Sequence, residues 1–585
     1  MCGIFGIVGK SPAAPMVLAG LTKLEYRGYD SWGIVVKHKD HLVVEKHVGK
    51  IATPTLKLPL SSLGLGHTRW ATHGGVTVAN AHPFLDCSQN LALVHNGIIE
   101  NYQQLKQQLS ASHKFSSQTD TEILLHLIEE YRRRLDLPTA VRQAFAKTTG
   151  LNAILVIEAA TNTLVAAKSG SPLVIGFAKG YHLIASDLWS LLDHTRQVAF
   201  LEDNHMAVIT KDKVNFYHLD SGQEAFFTPQ TIDWQQQLAT RGNFPHFMIK
   251  EISEQPNVLS KIIAEKDADI KKLSLLIKKS QGTFLAACGT AAYAALAGQY
   301  LFSRLAHYHI NPAIGSEFIY HANFLTPQSL LIALSQSGET IDTIESVKLA
   351  KAQHAHTIAV VNVPGSTLYR LADEKILLSA GPEKAVASTK AFTAKIALLL
   401  LTASYLAGRL KPAQAELKLA AQAIRQFLSA SYRKKLNRLA GQLYRHQHIF
   451  VVGRGQSYPA ALEGALKIKE ISYIHAEGLA GGELKHGPIA LIETGVPCLI
   501  IAPPDETYND VLSGAMELKA RGGFIIGISS QSNPVFDEYL KVPDCGNATI
   551  IPNVAIFQIL AYELALVRGL DPDKPRNLAK SVTVK

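Results

Sequence analysis

Two styles of hydrophobic patterning divide the chain. Up to about residue 230, short β-rich runs (Gly33 to Val36, Leu91 to Val94, Ala153 to Ile157, Thr163 to Ala167, Leu173 to Gly176, Met206 to Ile209) are separated by turn residues. Helical periods interrupt them near Tyr102 to Leu109 and Thr121 to Arg134. Strands of this length and spacing with few helices predict an α+β domain with much antiparallel sheet. Residues 236 to 256, including His246-Phe247-Met248-Ile249-Lys250-Glu251-Ile252, are polar and aromatic by turns and read as a connector. Beyond them, apolar strands alternate with long helices, the pattern of parallel sheets covered on both faces.

The second region repeats itself. When Thr283-Phe284-Leu285-Ala286-Ala287-Cys288-Gly289 is laid over His448-Ile449-Phe450-Val451-Val452-Gly453-Arg454-Gly455, Gly289 falls on Gly455 and Ala294-Ala295-Leu296 on Ala460-Ala461-Leu462. A second strand follows in each half, Leu330 to Leu334 and Pro497 to Ala502, with Glu339-Thr340 and Glu506-Thr507 leading into helices. Two homologous units, each a parallel sheet between helices, are expected. Ligands of such sheets sit at the carboxyl ends of the strands. In the first repeat that place is taken by Ser335-Gln336-Ser337-Gly338-Glu339-Thr340, where hydroxyls, a permissive glycine and free N–H groups can cradle a phosphate. The same residues also suit a plain helix cap. The matching loop of the second repeat, Pro503-Pro504-Asp505, lacks the hydroxyls, which suggests one phosphate site per chain.

Two further features carry chemistry. Removal of Met1 would leave Cys2 with a thiol and a free α-amino group on one carbon. Their ordinary pKa values, near ~8.5 and ~7.7–8.0, let the amine take the thiol proton close to neutrality. The helix after Gly455 carries Glu463, Lys467 and Glu470 on one face. Gly481-Gly482-Glu483-Leu484-Lys485-His486-Gly487-Pro488 then adds a histidine on a glycine-flanked loop. A carboxylate, a lysine and a histidine beside a sugar-phosphate site are the tools for opening a ring and moving a proton next to a carbonyl.

Composition narrows the classes. The 585 residues are 47% hydrophobic and 18% charged, enough chain for three or four domains. The +10 net charge is scattered, with short runs such as Arg132-Arg133-Arg134 and no aromatic interleaving, so nucleic acid is not an expected partner. The longest apolar stretch read from the sequence, Ile396 to Gly408, is shorter than the ~20 residues that span a bilayer. No signal-peptide pattern opens the chain, and a cytoplasmic protein without membrane partners is expected. Five cysteines (Cys2, Cys87, Cys288, Cys498, Cys545) without any C-x-x-C pair argue against disulfides and a zinc knuckle. Gly453-x-Gly455 resembles a dinucleotide fingerprint, but Tyr458 replaces the third glycine and no P-loop occurs, so neither NAD nor ATP is expected.

The motifs Cys2-Gly3-Ile4-Phe5-Gly6, Tyr26-Arg27-Gly28-Tyr29-Asp30-Ser31, His67-Thr68-Arg69-Trp70-Ala71-Thr72-His73-Gly74, Asn80-Ala81-His82-Pro83, His95-Asn96-Gly97-Ile98-Ile99-Glu100-Asn101 and Thr119-Asp120-Thr121-Glu122 resemble the N-terminal-nucleophile glutamine amidotransferases. Over essentially its whole length the chain resembles the glutamine:fructose-6-phosphate aminotransferase (isomerising), or glucosamine-6-phosphate synthase, family. The resemblance implies an αββα N-terminal-nucleophile (Ntn) glutaminase domain (residues 1–235), a linker (236–256), two tandem sugar isomerase (SIS) αβα sandwich domains with parallel sheets (257–425 and 426–574) and an active-site tail (575–585). It implies conversion of fructose 6-phosphate and glutamine to glucosamine 6-phosphate and glutamate, with ammonia passed internally between two sites.

By motif, the resemblance makes Cys2 the nucleophile and Asn96 with Gly97 the oxyanion hole. Arg69 would hold the glutamine carboxylate and Asp120 its amino group, Thr72 and His73 would line the site, and Trp70 would gate the ammonia channel. Thr290, Ser335, Gln336, Ser337 and Thr340 would hold the sugar phosphate. Glu470 would move the proton between C1 and C2 with Lys467 nearby, His486 would open the ring, and Lys580 in Pro575-Arg576-Asn577-Leu578-Ala579-Lys580-Ser581-Val582-Thr583-Val584 would form the Schiff base. Lys390 resembles part of the family's sugar-site loop, so pyridoxal phosphate is not implied; no organic cofactor and no metal is expected. The resemblance also implies a homodimer in which a sugar-site histidine comes from the neighbouring subunit. Two departures stand out: Ala291 replaces the usual serine phosphate ligand, and Gly74-Gly75-Val76 replaces a segment that commonly holds a proline. A paralogous amidotransferase for another ketose phosphate, and a non-enzymatic sugar-phosphate sensor, are the rival readings.

Overall fold

The computed structural model describes residues 2–52, 55–232 and 240–583. Residues 2–52, 55–232 and 581–583 build one compact unit and residues 240–580 another. The 235/236 boundary of the expected linker, its first residues and Val584 lie outside the described residues.

In the first unit, two antiparallel sheets of eight and seven strands stack face to face. Gly3–Val8 runs centrally in the larger one, between Leu63–Arg69 and Tyr181–Ala185. Its alternation shows why it is buried throughout. Ile4 and Val8 point between the sheets toward Val94, Leu155 and Ala166, while Phe5 and Ile7 point outward under Val17 and Leu21 of helix Ala13–Leu24, as a two-residue period requires. On the far side, Leu124, Leu125 and Ile128 of helix Asp120–Arg132 and Val141 of Leu137–Phe145 cover the second sheet. The result is four layers, α, β, β, α. Each predicted strand of this region forms, within a residue or two of its expected limits.

The second unit holds the expected repeat as two five-stranded parallel sheets. In the first, Gly282–Ala287 lies between Ile310–Ile314 and Ser329–Leu334, with His356–Val361 and Glu374–Leu377 beyond. In the second, His448–Gly453 lies between His475–Ala480 and Pro497–Ala502, followed by Phe524–Ser529 and Glu538–Lys541. The strand order is the same in both. The overlay of Gly289 on Gly455 is thus a true superposition of strand ends, each followed by a helix, Thr290–Leu301 and Ser457–Ser472. One apolar core joins both halves, centred on the helices Lys390–Leu406 and Ile550–Val567.

Two expectations need correction. Residues 247–256 are not a connector: they form the first half of helix Phe247–Glu265, whose Met248, Ile249, Ile252 and Leu259 are buried. Charged residues at Lys250, Glu251 and Glu254 obscured this period, and all three turn out to be ion-paired or hydrogen-bonded inside the unit. Nor is Ile396 to Gly408 the most apolar segment. Gly546–Val567 is long and apolar enough to cross a membrane by length and composition, but 89% of its most apolar window is buried within the protein. That burial is the signature of a core helix apolar on all sides.

Candidate active sites

Cys2 precedes Gly3–Val8 directly, and the antiparallel register of Gly3 with Thr68 brings Arg69 and Trp70 alongside it. The Trp70 N–H donates to the Cys2 Sγ at 3.3 Å, and the Trp70 carbonyl lies 3.6 Å from the same sulfur. Asn96, at the end of Leu91–Asn96 in the other sheet, donates from Nδ2 to the Cys2 carbonyl at 3.1 Å, and Arg27 Nε donates there at 3.2 Å. Strands from both sheets therefore fix the residue. Burial pushes the Cys2 thiol up, opposed by the Trp70 N–H and the charges of Arg69 and Arg27. A thiol so placed is protonated at neutrality and needs a base on hand.

Arg69 is buried, and its guanidinium donates to the carbonyls of Gly75 at 3.1 Å, Gly74 at 3.3 Å and His73. The Gly74-Gly75 segment is thus the strap that aims this arginine. Asp120 opens its helix and accepts the Ile99 N–H at 2.7 Å, which fastens the turn holding Asn96 and Gly97. Gly97 sits at φ +140°, and a Cβ there would come within 2.3 Å of the Leu151 carbonyl, so the turn admits only glycine. Thr72 is exposed, and His73 packs edge-on against Tyr102 at 5.3 Å between ring centres.

Behind this site lies a buried group of three histidines, His67, His82 and His95. His67 donates from Nε2 to the His95 carbonyl at 2.8 Å and stacks on His82 at 4.0 Å. The His95 N–H donates to His82 Nδ1 at 3.2 Å, and His95 Nε2 donates to Asn152 Oδ1 at 2.9 Å. Burial holds all three below the ordinary histidine range, His67 at about 3. Because the folded pKa values are depressed, the unfolded chain binds more protons below pH ~6.5, and stability falls as pH drops from there toward the folded values. Each pH unit in that window costs about 1.4 kcal/mol per histidine. Urea unfolding followed at pH 7 and pH 5 should show the first unit losing several kcal/mol; equal midpoints would contradict the neutral assignment.

In the second unit, the carboxyl ends of the first sheet's strands open on a cavity of about 150 Å³. Thr290, Ala291, Ser335, Gln336, Ser337 and Thr340 line it on the strand side. Ser335 Oγ accepts the Gly338 N–H at 3.0 Å and lies 3.1 Å from Thr340 Oγ1, while Ser337 Oγ accepts the Glu339 N–H at 3.1 Å. The hydroxyls therefore shape the loop as a cap would, and still face the cavity; the phosphate-cradle and cap readings are compatible. Glu470, Ser388, Lys395 and Lys580 close the opposite wall.

Two buried charge clusters back this wall. Lys467 Nζ reaches Glu470 at 2.6 Å, Glu463 at 3.4 Å and Thr290 Oγ1 at 2.9 Å. Burial lifts Glu463 to about 7, and its neighbour Glu470 adds to that lift while Lys467 opposes it. Burial would lower Lys467, but the two carboxylates outweigh it and hold the amine charged. Lys580 pairs with Glu383 at 2.6 Å, both nearly inaccessible. Glu383 also accepts the Thr389 and Ala391 N–H groups at 2.9 and 3.2 Å, sitting at the start of helix Lys390–Leu406 where a carboxylate is favoured. Lys395, one turn on, has only the Ala391 carbonyl at 3.4 Å as a hydrogen-bond partner among the described residues, and burial lowers it to about 8. Glu383 and Lys395 escaped the sequence reading because nothing in a charged residue's spacing marks it as buried. Lys390 is paired with Glu254 at 2.6 Å. His486 ends a short helical turn, Glu483–His486, and is exposed and outside the cavity lining.

Comparison with known proteins agrees with this division. Residues 67–193 match the glutamine amidotransferase domain model, and residues 276–405 and 442–551 each match the SIS domain model. Glutamine–fructose-6-phosphate aminotransferases (isomerizing) align with the full length of this chain and of their own. The protein from Pyrococcus horikoshii is 40% identical over 600 residues, that from Thermococcus kodakarensis 42% over 604. Among solved structures, the C-terminal domain of glucosamine-fructose-6-phosphate aminotransferase from Francisella tularensis matches 57% of this chain and all of its own, with 34% identity and a TM-score of 0.53. Tagatose-6-phosphate ketose/aldose isomerase from Escherichia coli, 16% identical with a TM-score of 0.51, covers 58% of this chain and 96% of its own and shares the fold alone. Identity of about 40% along both whole chains shows that this protein belongs to the glutamine–fructose-6-phosphate aminotransferase (isomerizing) family.

Proposed function

We propose that the chain makes glucosamine 6-phosphate and glutamate from fructose 6-phosphate and glutamine, with the residues of its two sites in the following roles. Cys2 attacks the glutamine amide, its own α-amino group taking the thiol proton once Met1 is gone. The Asn96 side chain and the Gly97 N–H stabilise the oxyanion, a contribution worth roughly 2.7–4 kcal/mol per donor. Arg69 reads the substrate carboxylate as a two-pronged donor, Asp120 the amino group, and Thr72 and His73 border the pocket.

In the second unit, Thr290, Ser335, Gln336, Ser337 and Thr340 take the phosphate. Lys580 forms the Schiff base with the ketose carbonyl, held for attack by Glu383. Glu470 carries the proton between C1 and C2, with Lys467 fixing its carboxylate. The observation that carries this reading is the cavity itself: Lys580 and Glu470 face the hydroxyl-rich Ser335–Thr340 loop across one small space. Ala291 lines that space with a methyl group, one charge-assisted hydrogen bond fewer, and weakens phosphate binding by roughly 1.5–3 kcal/mol. The exposure of His486 supports a homodimer in which each chain lends this histidine to the other's cavity. Domain limits of 1–235, 247–425, 426–574 and 575–585, the second moved back to the start of helix Phe247–Glu265, and a cytoplasmic location complete the proposal.

The test is glutamate release by the Met1-processed protein with and without fructose 6-phosphate, with the amino sugar identified by mass and chromatography. Stimulated release matched by glucosamine 6-phosphate supports the reading. Glutamate without amino sugar sinks it.

Trp70 is the proposed ammonia gate. Its backbone brackets the Cys2 sulfur and follows Arg69 directly, so a shift of Arg69 on binding glutamine moves it. Trp70→Ala should leave glutamine hydrolysis within about 3-fold of wild type and lower amination on the order of 10-fold or more, a loss of roughly 1.4 kcal/mol in transfer. Equal loss of both activities would refute the gate.

A further inference from the structure

Cys87, His113, His126 and Glu129 bring one ligand atom each into a single cluster, all within 4.8 Å of one another. Cys87 Sγ lies 3.5 Å from His113 Nδ1 and 3.7 Å from His126 Nδ1, and Glu129 Oε2 lies 3.2 Å and 2.9 Å from the same two nitrogens. A tetrahedral zinc ion, with sulfur at ~2.3 Å and nitrogen or oxygen at ~2.0–2.2 Å, separates its ligand atoms by roughly 3.3–3.6 Å. The four separations above, from 2.9 to 3.7 Å, scatter about those values.

The outward-facing nitrogens give a second, independent indication. His113 Nε2 lies 3.1 Å from Glu130 Oε1, and His126 Nε2 faces Glu122 Oε1 at 3.9 Å. At His113 the Glu130 carboxylate favours the proton on Nε2, which turns the Nδ1 lone pair inward, toward a thiol and a carboxylate oxygen; His126 Nε2 has no hydrogen-bond partner among the described residues, and its Nδ1 lies 2.9 Å from Glu129 Oε2. The His113 Nδ1 lone pair, 3.2 Å from the Glu129 carboxylate oxygen, is repelled by it unless something positive sits between them. Both histidine side chains are about 1% exposed, so water does not relieve the contact. The Lys114 N–H points at Cys87 Sγ from 3.5 Å, the kind of donor that steadies a thiolate.

We propose that these four residues bind one zinc ion in a closed, structural site. Cys87 loses its proton to solvent on binding, and the four protein ligands leave no open position for catalysis. The ion ties the turn after Phe84–Leu85 and the segment between the helices Tyr102–Gln108 and Asp120–Arg132 to the latter helix. His126 lies six residues beyond Asp120, roughly 9 Å along the axis, so the ion anchors the helix that presents Asp120 to glutamine. The family resemblance implies no metal, and the lack of paired cysteines argues only against a zinc knuckle. Here the ligands are spread from Cys87 to Glu129, and only His126 and Glu129 share a helix face.

The test is metal content of the full-length Cys2→Ala protein, chosen so that Cys87 is the thiol under study, after equilibration in zinc-buffered solution. About one zinc per chain should be retained, and Cys87→Ser or His126→Gln in that background should lower retention at least 10-fold. Cobalt in place of zinc should give a thiolate charge-transfer band and strong tetrahedral visible bands, both lost with Cys87→Ser. Glu130→Gln should weaken affinity on the order of 10-fold. Zinc retained undiminished by Cys87→Ser and by His126→Gln, no zinc retained at all, or a cobalt spectrum without the thiolate band would each overturn the proposal. Circular dichroism of each variant separates loss of metal from loss of fold.

Discussion

Cys2→Ala should lower glutamine hydrolysis by ~10³-fold or more, because it removes the attacking atom and no other described thiol lies near the site to replace it. Cys2→Ser should fare little better: a hydroxyl is far less acidic than a thiol, and an α-amino group of pKa near ~8 is a poor base for it. The fold should survive both changes, since the backbone of Cys2 is held by Asn96 and Arg27 through its carbonyl rather than its side chain. The sugar chemistry of the second unit should also survive. Exchange of solvent deuterium into fructose 6-phosphate at C1, through Lys580 and Glu470, should continue in Cys2→Ala, and its disappearance would show that the sites are not separable in the way described.

Lys580→Ala should abolish glucosamine 6-phosphate formation, by ~10³-fold or more, and should also destabilise the protein. The second effect has its own cause. Lys580 and Glu383 form a pair with 3% and 0% side-chain exposure, and removing one partner of a buried pair costs about 3–5 kcal/mol. The neighbouring Glu251 sharpens the problem, since burial and the Glu383 charge already push its carboxyl up. Lys580→Ala with Glu383→Gln should therefore recover much of the lost thermal stability without recovering activity. Recovery of both would mean that Lys580 is a structural residue only. The same variant tests the homodimer: mixed with His486→Ala chains, which should also be inactive, it should restore roughly a quarter of wild-type activity, through the one intact site of each mixed dimer. No restoration would place His486 in its own chain's site.

Six of the first unit's strands and two of its helices could be read from the sequence because their runs carry either alternation or a continuous apolar stretch bounded by turns; the central strand Gly3–Val8 and the helices Ala13–Leu24 and Leu137–Phe145 were not read. The repeat of the second unit was readable for a different reason: Gly289 and Gly455 mark equivalent strand ends. Helix Phe247–Glu265 was not, because Lys250, Glu251 and Glu254 spend their charges inside the unit, on each other and on Lys390 and the Lys384 N–H. The sites divide along similar lines. Cys2, Arg69 and the Ser335–Thr340 loop announce themselves by local pattern. Glu383 lies 197 residues from Lys580, and Cys87 lies 42 from Glu129; such partners meet only through tertiary folding, and no spacing rule connects them.

The central claim is that nitrogen freed at Cys2 is the nitrogen placed on the sugar at Lys580. The most direct measurement supplies glutamine labelled with ¹⁵N in its amide, fructose 6-phosphate and an excess of unlabelled ammonium, and reads the isotope in the amino sugar. The account predicts glucosamine 6-phosphate carrying ¹⁵N in proportion to glutamate released, undiluted by the ammonium. Unlabelled amino sugar, or label diluted to the composition of the solution, would contradict it.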